Sequence, residues 1–204
     1  TLGGRRIIIE EAEKLRFRNT IIVYLKVERQ HLFEDQWLYV QSDNLRTGRI
    51  TNFSNWGTKR NENQKFTILA FEYWCFDEDE IWMASDETLI TQAKGDLKES
   101  GVAESSEVSE GFILRVPKCY PVYDYGYQKN LEVVQKFVDS WTGLSAIGRY
   151  GSFKYNNQDH SILMGLLAAE NITSDSQHDL WGVNADDEYQ EASLISDTGL
   201  VVKE

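Results

Sequence analysis

Cysteine is scarce in this chain. Cys75 and Cys119 are the whole supply, and no C-x-x-C spacing joins them. A buried, reduced pair is the expectation, and it suits a cytoplasmic protein. Histidine is equally thin: His31, His160 and His178 lie far apart, and no H-x-x-x-H or Cys/His cluster suggests a metal site. No apolar run approaches the length of a membrane span, and no signal peptide is evident. There is no internal repeat and no low-complexity segment. Basic residues are outnumbered, 21 Lys and Arg against 33 Asp and Glu, for a net charge of −12. Nucleic acids are bound through an excess of Lys and Arg, so that class of partner is argued against, although a local basic pocket is not. The acidic excess is uneven. Residues 170–204 hold nine acidic residues and one lysine, which reads as a solvated acidic tail over 176–204.

What is abundant is aromatic: 6 Trp, 10 Tyr and 9 Phe in 204 residues, enough large apolar surface for a substantial core. The length suits one large domain or two small ones. Residues 5–16 read as a short helix. Residues 19–28 (NTIIVYLKVE), 36–41 (QWLYVQ), 48–53 (GRITNF) and 65–75 (KFTILAFEYWC) read as four consecutive strands, with SDNL at 42–45 as a turn. Short connections make these an antiparallel meander rather than βαβ units. Ser85 reads as an N-cap, with Asp86 and Glu87 in the first turn of a helix. That helix carries Leu89, Ile90, Ala93 and Leu97 on one face, and Gly101 closes it. Residues 103–110 (AESSEVSE) are expected to be a polar loop, and 111–116 (GFILRV) a fifth strand stopped at Pro117. Residues 127–141 form a predicted helix with Leu131, Val134, Phe137, Val138 and Trp141 inward. Residues 144–147 are a predicted short buried strand, and a last helix starts near Asp159. The fold class expected is α+β. An antiparallel-dominated sheet with flanking helices would occupy 1–140, and a strand-loop-helix piece of a second domain 141–175.

The densest pattern lies between those last two elements, GRYGSFKYNNQDHS at 148–161. Gly148 and Gly151 bracket Arg149 and Tyr150, where glycine lets a backbone approach a ligand closely. The start of the following helix presents unpaired N–H groups and partial positive charge, suited to phosphate or an electron-rich ring edge. Arg149 and Lys154 add positive charge, and the planar fork of arginine can hold two phosphate oxygens at once. Equally, Asn157 or Asp159 can simply cap the helix, with Arg149 paired to a surface carboxylate. On physical reasoning alone the capped helix is at least as good a reading as a ligand site.

This stretch resembles the C-terminal flavin-contacting motif of the UDP-galactopyranose mutases, a branch of the amine oxidase and protoporphyrinogen oxidase superfamily. The family pattern is roughly G-R-aromatic-G-small-aromatic-basic-Tyr followed by N-Q-D-H-S. Every element is present in order, with a shorter spacer after Tyr155 than in the eukaryotic mutases. WLY at 37–39 with GRITNFSNW at 48–56 is similar to the mutases' W-L-Y and R-x-T-x-F-S-N-Y segment. VPKCYPVYD at 116–124 lies where the family has a G-Y-P element. HDLWGVNADDEYQE at 178–191 resembles the tail of bacterial flavoproteins of the superfamily.

The resemblance implies an FAD cofactor and a nucleotide-sugar or other small-molecule substrate. It implies that Arg49 and Arg149 contact the substrate diphosphate. It assigns Tyr39, Tyr120 and Tyr155 to phosphate oxygens or the nucleotide pocket, and Gly148, Asn157, Gln158, Asp159, His160 and Ser161 to the flavin. No protein side chain is assigned the covalent chemistry, which the cofactor would supply. Taken singly, Arg49 and Tyr39 read better as ordinary strand residues, and Tyr120 as packing beside Pro121. The G-x-G-x-x-G fingerprint that holds ADP in such proteins is absent. The chain also begins at Thr1 and enters a helical pattern at once. It is therefore expected to be a C-terminal portion whose N-terminal FAD domain lies elsewhere, and to bind no FAD stably and turn nothing over alone. Two other functions stay open. One is an FAD-dependent oxidoreductase with an apolar substrate, for which FEYWCF at 71–76 could line a pocket, although a buried central strand is the preferred reading of that run. The other is a non-catalytic binding module.

Overall fold

The computed structural model describes residues 2–57, 64–184, 193–196 and 199–202. In chain order the elements are α1 (Leu2–Glu13), β1 (Phe17–Val27), β2 (Trp37–Tyr39), β3 (Arg49–Asn52), β4 (Thr67–Cys75), α2 (Glu80–Met83) and α3 (Asp86–Glu99). They continue with β5 (Val108–Pro121), α4 (Tyr127–Asp139), α5 (Gly148–Gly151), α6 (Gln158–Thr173), β6 (Ser193–Ser196) and β7 (Gly199–Val202). Two compact units result, one of residues 17–120 and one of residues 1–16 with 121–204. Much of the expected acidic tail, at 185–192, 197–198 and 203–204, lies outside the described residues.

The 17–120 unit is a five-stranded sheet in the order β2-β3-β4-β1-β5. β1 pairs antiparallel with β4 from Asn19 opposite Cys75 to Val27 opposite Thr67. β3 is antiparallel to both β2 and β4. The antiparallel α+β architecture expected from the sequence is present, but only β2-β3-β4 is a meander. β1 leaves its sequence neighbour β2 and sits between β4 and β5. The reason is hydrophobic: β1 and β4 are the two long apolar strands, and adjacency buries both. Side chains alternate across a strand, so Ile21, Val23, Leu25 and Val27 face one way, fully buried, alongside Leu69, Phe71, Tyr73 and Cys75.

Helix α3 covers that face with Leu89, Ala93 and Leu97. Ser85 caps it, accepting the Thr88 N–H at 3.2 Å, and Gly101 follows its end in the left-handed conformation, φ +72°. Asp96, 3% exposed, ties the helix to the sheet. It accepts the Tyr73 hydroxyl at 2.8 Å, the Thr47 N–H at 3.2 Å and the Gln92 amide at 3.0 Å. Burial, with Asp96 alongside, pushes the Tyr73 hydroxyl far above its ordinary pKa.

Two expectations fail at β5. Strand pairing begins at Val108, inside the supposed polar loop, and it runs through Pro117 to Pro121. β5 is the last strand in the order, where a missing N–H can point away from the ladder at no cost. Lys118 then takes φ +52° and donates its N–H inward to Asn19 Oδ1 at 2.8 Å.

In the other unit, α1 packs against α4. Leu131, Val134, Phe137 and Val138 are half-buried as their helical spacing predicts, while Trp141 lies past the helix end and is exposed. The predicted strand at 144–147 is not formed. Ile147 is extended, φ −131° and ψ 162°, but no described strand pairs with it, and Leu144 and Ile147 are exposed. Gly148–Gly151 is a helical turn rather than an open loop. The middle of helix α6 is apolar on more than one face: Met164 and Ala168 are buried, while Ile162, Leu163 and Leu166, with Ile172 near its end, are exposed. Among the described residues no helix is long and apolar enough to cross a membrane, and no group of three or more His, Cys, Asp or Glu could hold a metal ion.

Candidate functional site

The start of α6 is built by a reciprocal cap. Asn157 stands at the N-cap with its side chain on the His160 N–H, while His160 Nδ1 accepts the Asn157 N–H at 3.2 Å. Asp159 Oδ1 lies 3.4 Å from the same ring nitrogen. Gln158 and Asp159, in the first turn, keep N–H groups with no place in the helical ladder. Ser161 turns its hydroxyl back to the Asn157 carbonyl at 3.1 Å.

Arg149, Asn156, Asn157, Gln158, Ser161 and Ile162 line an open cleft of about 500 Å³. Arg149 enters it from α5. Its Nη1 donates to the Asn156 carbonyl at 2.9 Å, and its guanidinium lies over the Tyr155 ring, 4.2 Å from the centroid, a close cation–π arrangement. One charged fork, a helix N-terminus and an apolar wall therefore share one concavity. Such a lining suits an anion or the electron-rich edge of a planar ring. Gly148 opens α5 at φ +75°, a conformation that favours glycine, although a Cβ there would meet open space rather than a neighbour.

Lys154 does not serve the cleft as expected. Its ammonium is held by the carbonyls of Trp181 and Val183, the latter at 2.7 Å, so its charge fastens 181–184 to the loop. Three other residues shape the site without having been singled out in the sequence. Asn156, 3% exposed, sends its amide to Met164 Sδ at 3.1 Å. Asn184 donates to Asn156 Oδ1 at 2.9 Å. The Tyr123 hydroxyl accepts the Tyr155 N–H at 2.8 Å. None of these carries a local sequence signal, since each contact spans a long stretch of chain or depends on a turn.

The remaining candidates, Tyr39, Arg49 and Tyr120, belong to the sheet unit. Arg49 lies opposite Tyr39 on β2 and opposite Glu72 on β4. It grips Glu72 with both arms of its fork, Nε to Oε1 at 2.7 Å and Nη2 to Oε2 at 2.8 Å, and its guanidinium stands 5.9 Å from the Tyr39 ring centre. Burial works against the arginine's charge, but the Glu72 carboxylate outweighs it and the pKa rises. The cross-strand pairing that Arg49 suggests when read alone is thus realised. Tyr39 is exposed, and Tyr120 meets Trp74 edge-on at 6.3 Å. On the same face Trp37 stacks on Trp56 at 5.7 Å, and Tyr24 lies 5.8 Å from Phe53 and 6.1 Å from Phe112. By contrast Phe71, Tyr73 and Cys75 of the FEYWCF run are buried in the core.

No protein-family model and no curated protein matches the sequence. Solved structures do. A crystal structure of reduced UDP-galactopyranose mutase matches with TM-score 0.71 and 25% identity, over 83% of this chain and 37% of that one. A protein assigned as a protoporphyrinogen oxidase of Exiguobacterium sp. 255-15 matches with TM-score 0.55 and 18% identity, over 72% of this chain and 34% of that one. The chain spans about a third of the length of either structure. It is mutase-like in fold, as the motif at 148–161 suggested, and the second likeness extends that fold to the protoporphyrinogen oxidase.

Proposed function

We propose that this chain is part of an FAD-dependent enzyme of the UDP-galactopyranose mutase type, a cytoplasmic protein that isomerises the ring of a nucleotide sugar. The observation that carries this is the cleft at the start of α6, where the Arg149 fork, stacked on Tyr155, shares a wall with Asn157, Gln158 and Ser161. The residues present fit the ring end of a flavin. The helix N-terminus favours negative charge on the ring edge, and Gly148 with Asn157, Gln158, Asp159, His160 and Ser161 would border it. They do not supply the glycine fingerprint for ADP, so an N-terminal FAD domain outside this chain would hold that end. The exposed apolar side chains of α6, Ile162, Leu163, Leu166 and Ile172, support the same view, because such a surface is ordinarily covered in a larger protein or complex. When bound, the reduced flavin supplies the covalent chemistry at the sugar's anomeric carbon.

The chain's own residues orient and neutralise. Arg149 and Tyr155 would take the diphosphate on one unit. Within the sheet unit, Arg49, Tyr39 and Tyr120 would offer phosphate or nucleotide contacts, with Glu72 keeping the guanidinium in a fixed plane. A redox enzyme with an apolar substrate is the second reading, favoured by the aromatic group Trp37, Phe53, Trp56 and Phe112 on the sheet.

The test is a visible spectrum of the protein as its gene encodes it, then incubation with UDP-galactopyranose under reducing conditions and separation of the sugar products. A flavin spectrum, with conversion that needs reduction and falls at least tenfold in Arg149→Ala, is the expected result. A flavin spectrum without conversion transfers the assignment to the redox enzyme. A colourless protein that takes up no FAD returns the loop to a capped helix start and leaves a binding module.

A further inference from the structure

The guanidinium of Arg149 is positioned by two consecutive residues, the ring of Tyr155 beneath it and the carbonyl of Asn156 beside it. Each is anchored from afar. Asn156 is held by Asn184 and Met164. Tyr155 receives its anchor from Tyr123, whose hydroxyl oxygen accepts its N–H at 2.8 Å. The Tyr123 ring is itself immobilised. It stacks on Tyr127 with centroids 4.6 Å apart and planes within 10°, and both rings bear on Phe153, at 6.2 and 5.9 Å. Phe153 is 3% exposed and sits at φ +50°, a conformation that costs a bulky residue energy and persists only where its surroundings enforce it. Between this strained residue and the arginine clamp lies only Lys154, already fixed to the 181–184 carbonyls.

We propose that Tyr123 is a positioning residue for the Arg149 site: its hydroxyl sets the backbone at Tyr155, and thereby the ring that holds the guanidinium in one plane across the cleft. This rests on the reading of Arg149 as a diphosphate contact. A fork held in one plane meets two phosphate oxygens together, whereas a swinging one loses that bidentate geometry. Tyr123 does not line the cleft itself.

Tyr123→Phe removes one oxygen and keeps the stack on Tyr127, so the fold survives. The protein is labelled with 15N-arginine, and the Arg149 Nε–H resonance is assigned by its loss in Arg149→Lys. The ring below shields that proton, and Tyr155→Leu abolishes the upfield shift. In Tyr123→Phe the shift is expected to fall by at least half. UDP, titrated by calorimetry, is expected to bind about fivefold more weakly, the equivalent of one hydrogen bond of about 1 kcal/mol. An unchanged Arg149 resonance in Tyr123→Phe overturns the proposal, and so does a lower melting temperature without a change in that resonance, since that is a structural role alone. A wild-type protein that ignores UDP while its Arg149 resonance still depends on Tyr123 defeats the diphosphate reading and leaves the positioning intact.

Discussion

Arg49 and Arg149 carry the same guanidinium to opposite circumstances. Glu72, 6% exposed, has both oxygens on Arg49. Removing the arginine strands a buried carboxylate. Arg49→Ala is therefore expected to destabilise the sheet unit by about 3 kcal/mol, measured by denaturant melts, and Glu72→Gln in the same chain should recover part of the loss. A melt identical to wild type would mean that the pair is not structural. Any fall in activity in Arg49→Ala must be separated from this effect, whereas Arg149→Ala, which strands no buried carboxylate, should lower the melt less. Cys75 offers a pH test. Burial, reinforced by Asp79, raises its thiol from 9.0 to about 11. The folded thiol stays protonated where the unfolded one ionises, so its contribution to stability is complete below about pH 9 and is lost as pH rises toward 11. The gap between the stability curves of wild type and Cys75→Ala should be constant below about pH 9 and change only in that window. At pH 8 a thiol reagent should label half-buried Cys119 and spare Cys75.

At the scale of elements, Gly48 is a point of close approach. A Cβ there would lie 2.2 Å from the Trp74 ring. Gly48→Ala is expected to push that ring off its edge contact with Tyr120 and to cost about 2 kcal/mol, visible as a red-shifted tryptophan emission together with a lower melting point. An unaltered emission spectrum would show that the ring has room. The elements that were legible from sequence share a cause: their signal is local. The β-branched run of β1, the apolar-aromatic run of β4, the Ser85 cap and Gly101 at the end of α3 all read correctly, because one short stretch or one turn contains the whole argument. Strand order did not, since the choice of β4 over β2 as the neighbour of β1 depends on total buried area. Residues 144–147 read as a strand because their composition is apolar, but a strand exists only with a partner. In the site, Arg149 and the 157–161 cap were legible as a motif. Tyr123 and Asn184 were not, because a hydrogen bond across 28 or 32 positions leaves no mark on local pattern.

The whole molecule divides its stability unequally. The larger apolar core, from Ile21 to Val108, lies wholly within 17–120. The other unit's core cluster is Met164, Ala168 and Leu180. Residues 17–120 expressed alone are therefore expected to fold with a cooperative thermal transition and native sheet content by circular dichroism. The remaining unit should bind a hydrophobic dye through the exposed apolar side chains of α6. A non-cooperative melt of 17–120 would show that its core is incomplete. Pro117 of β5 reaches further than its own strand. An incoming polypeptide that tried to lengthen the sheet past β5 would find no donor at Pro117 and a kinked register at Lys118, while the opposite margin, β2, is three residues long. Both borders are therefore cut short, one at Pro117 and Lys118 and the other by its length, which hinders the runaway strand-by-strand assembly that leads to fibrils.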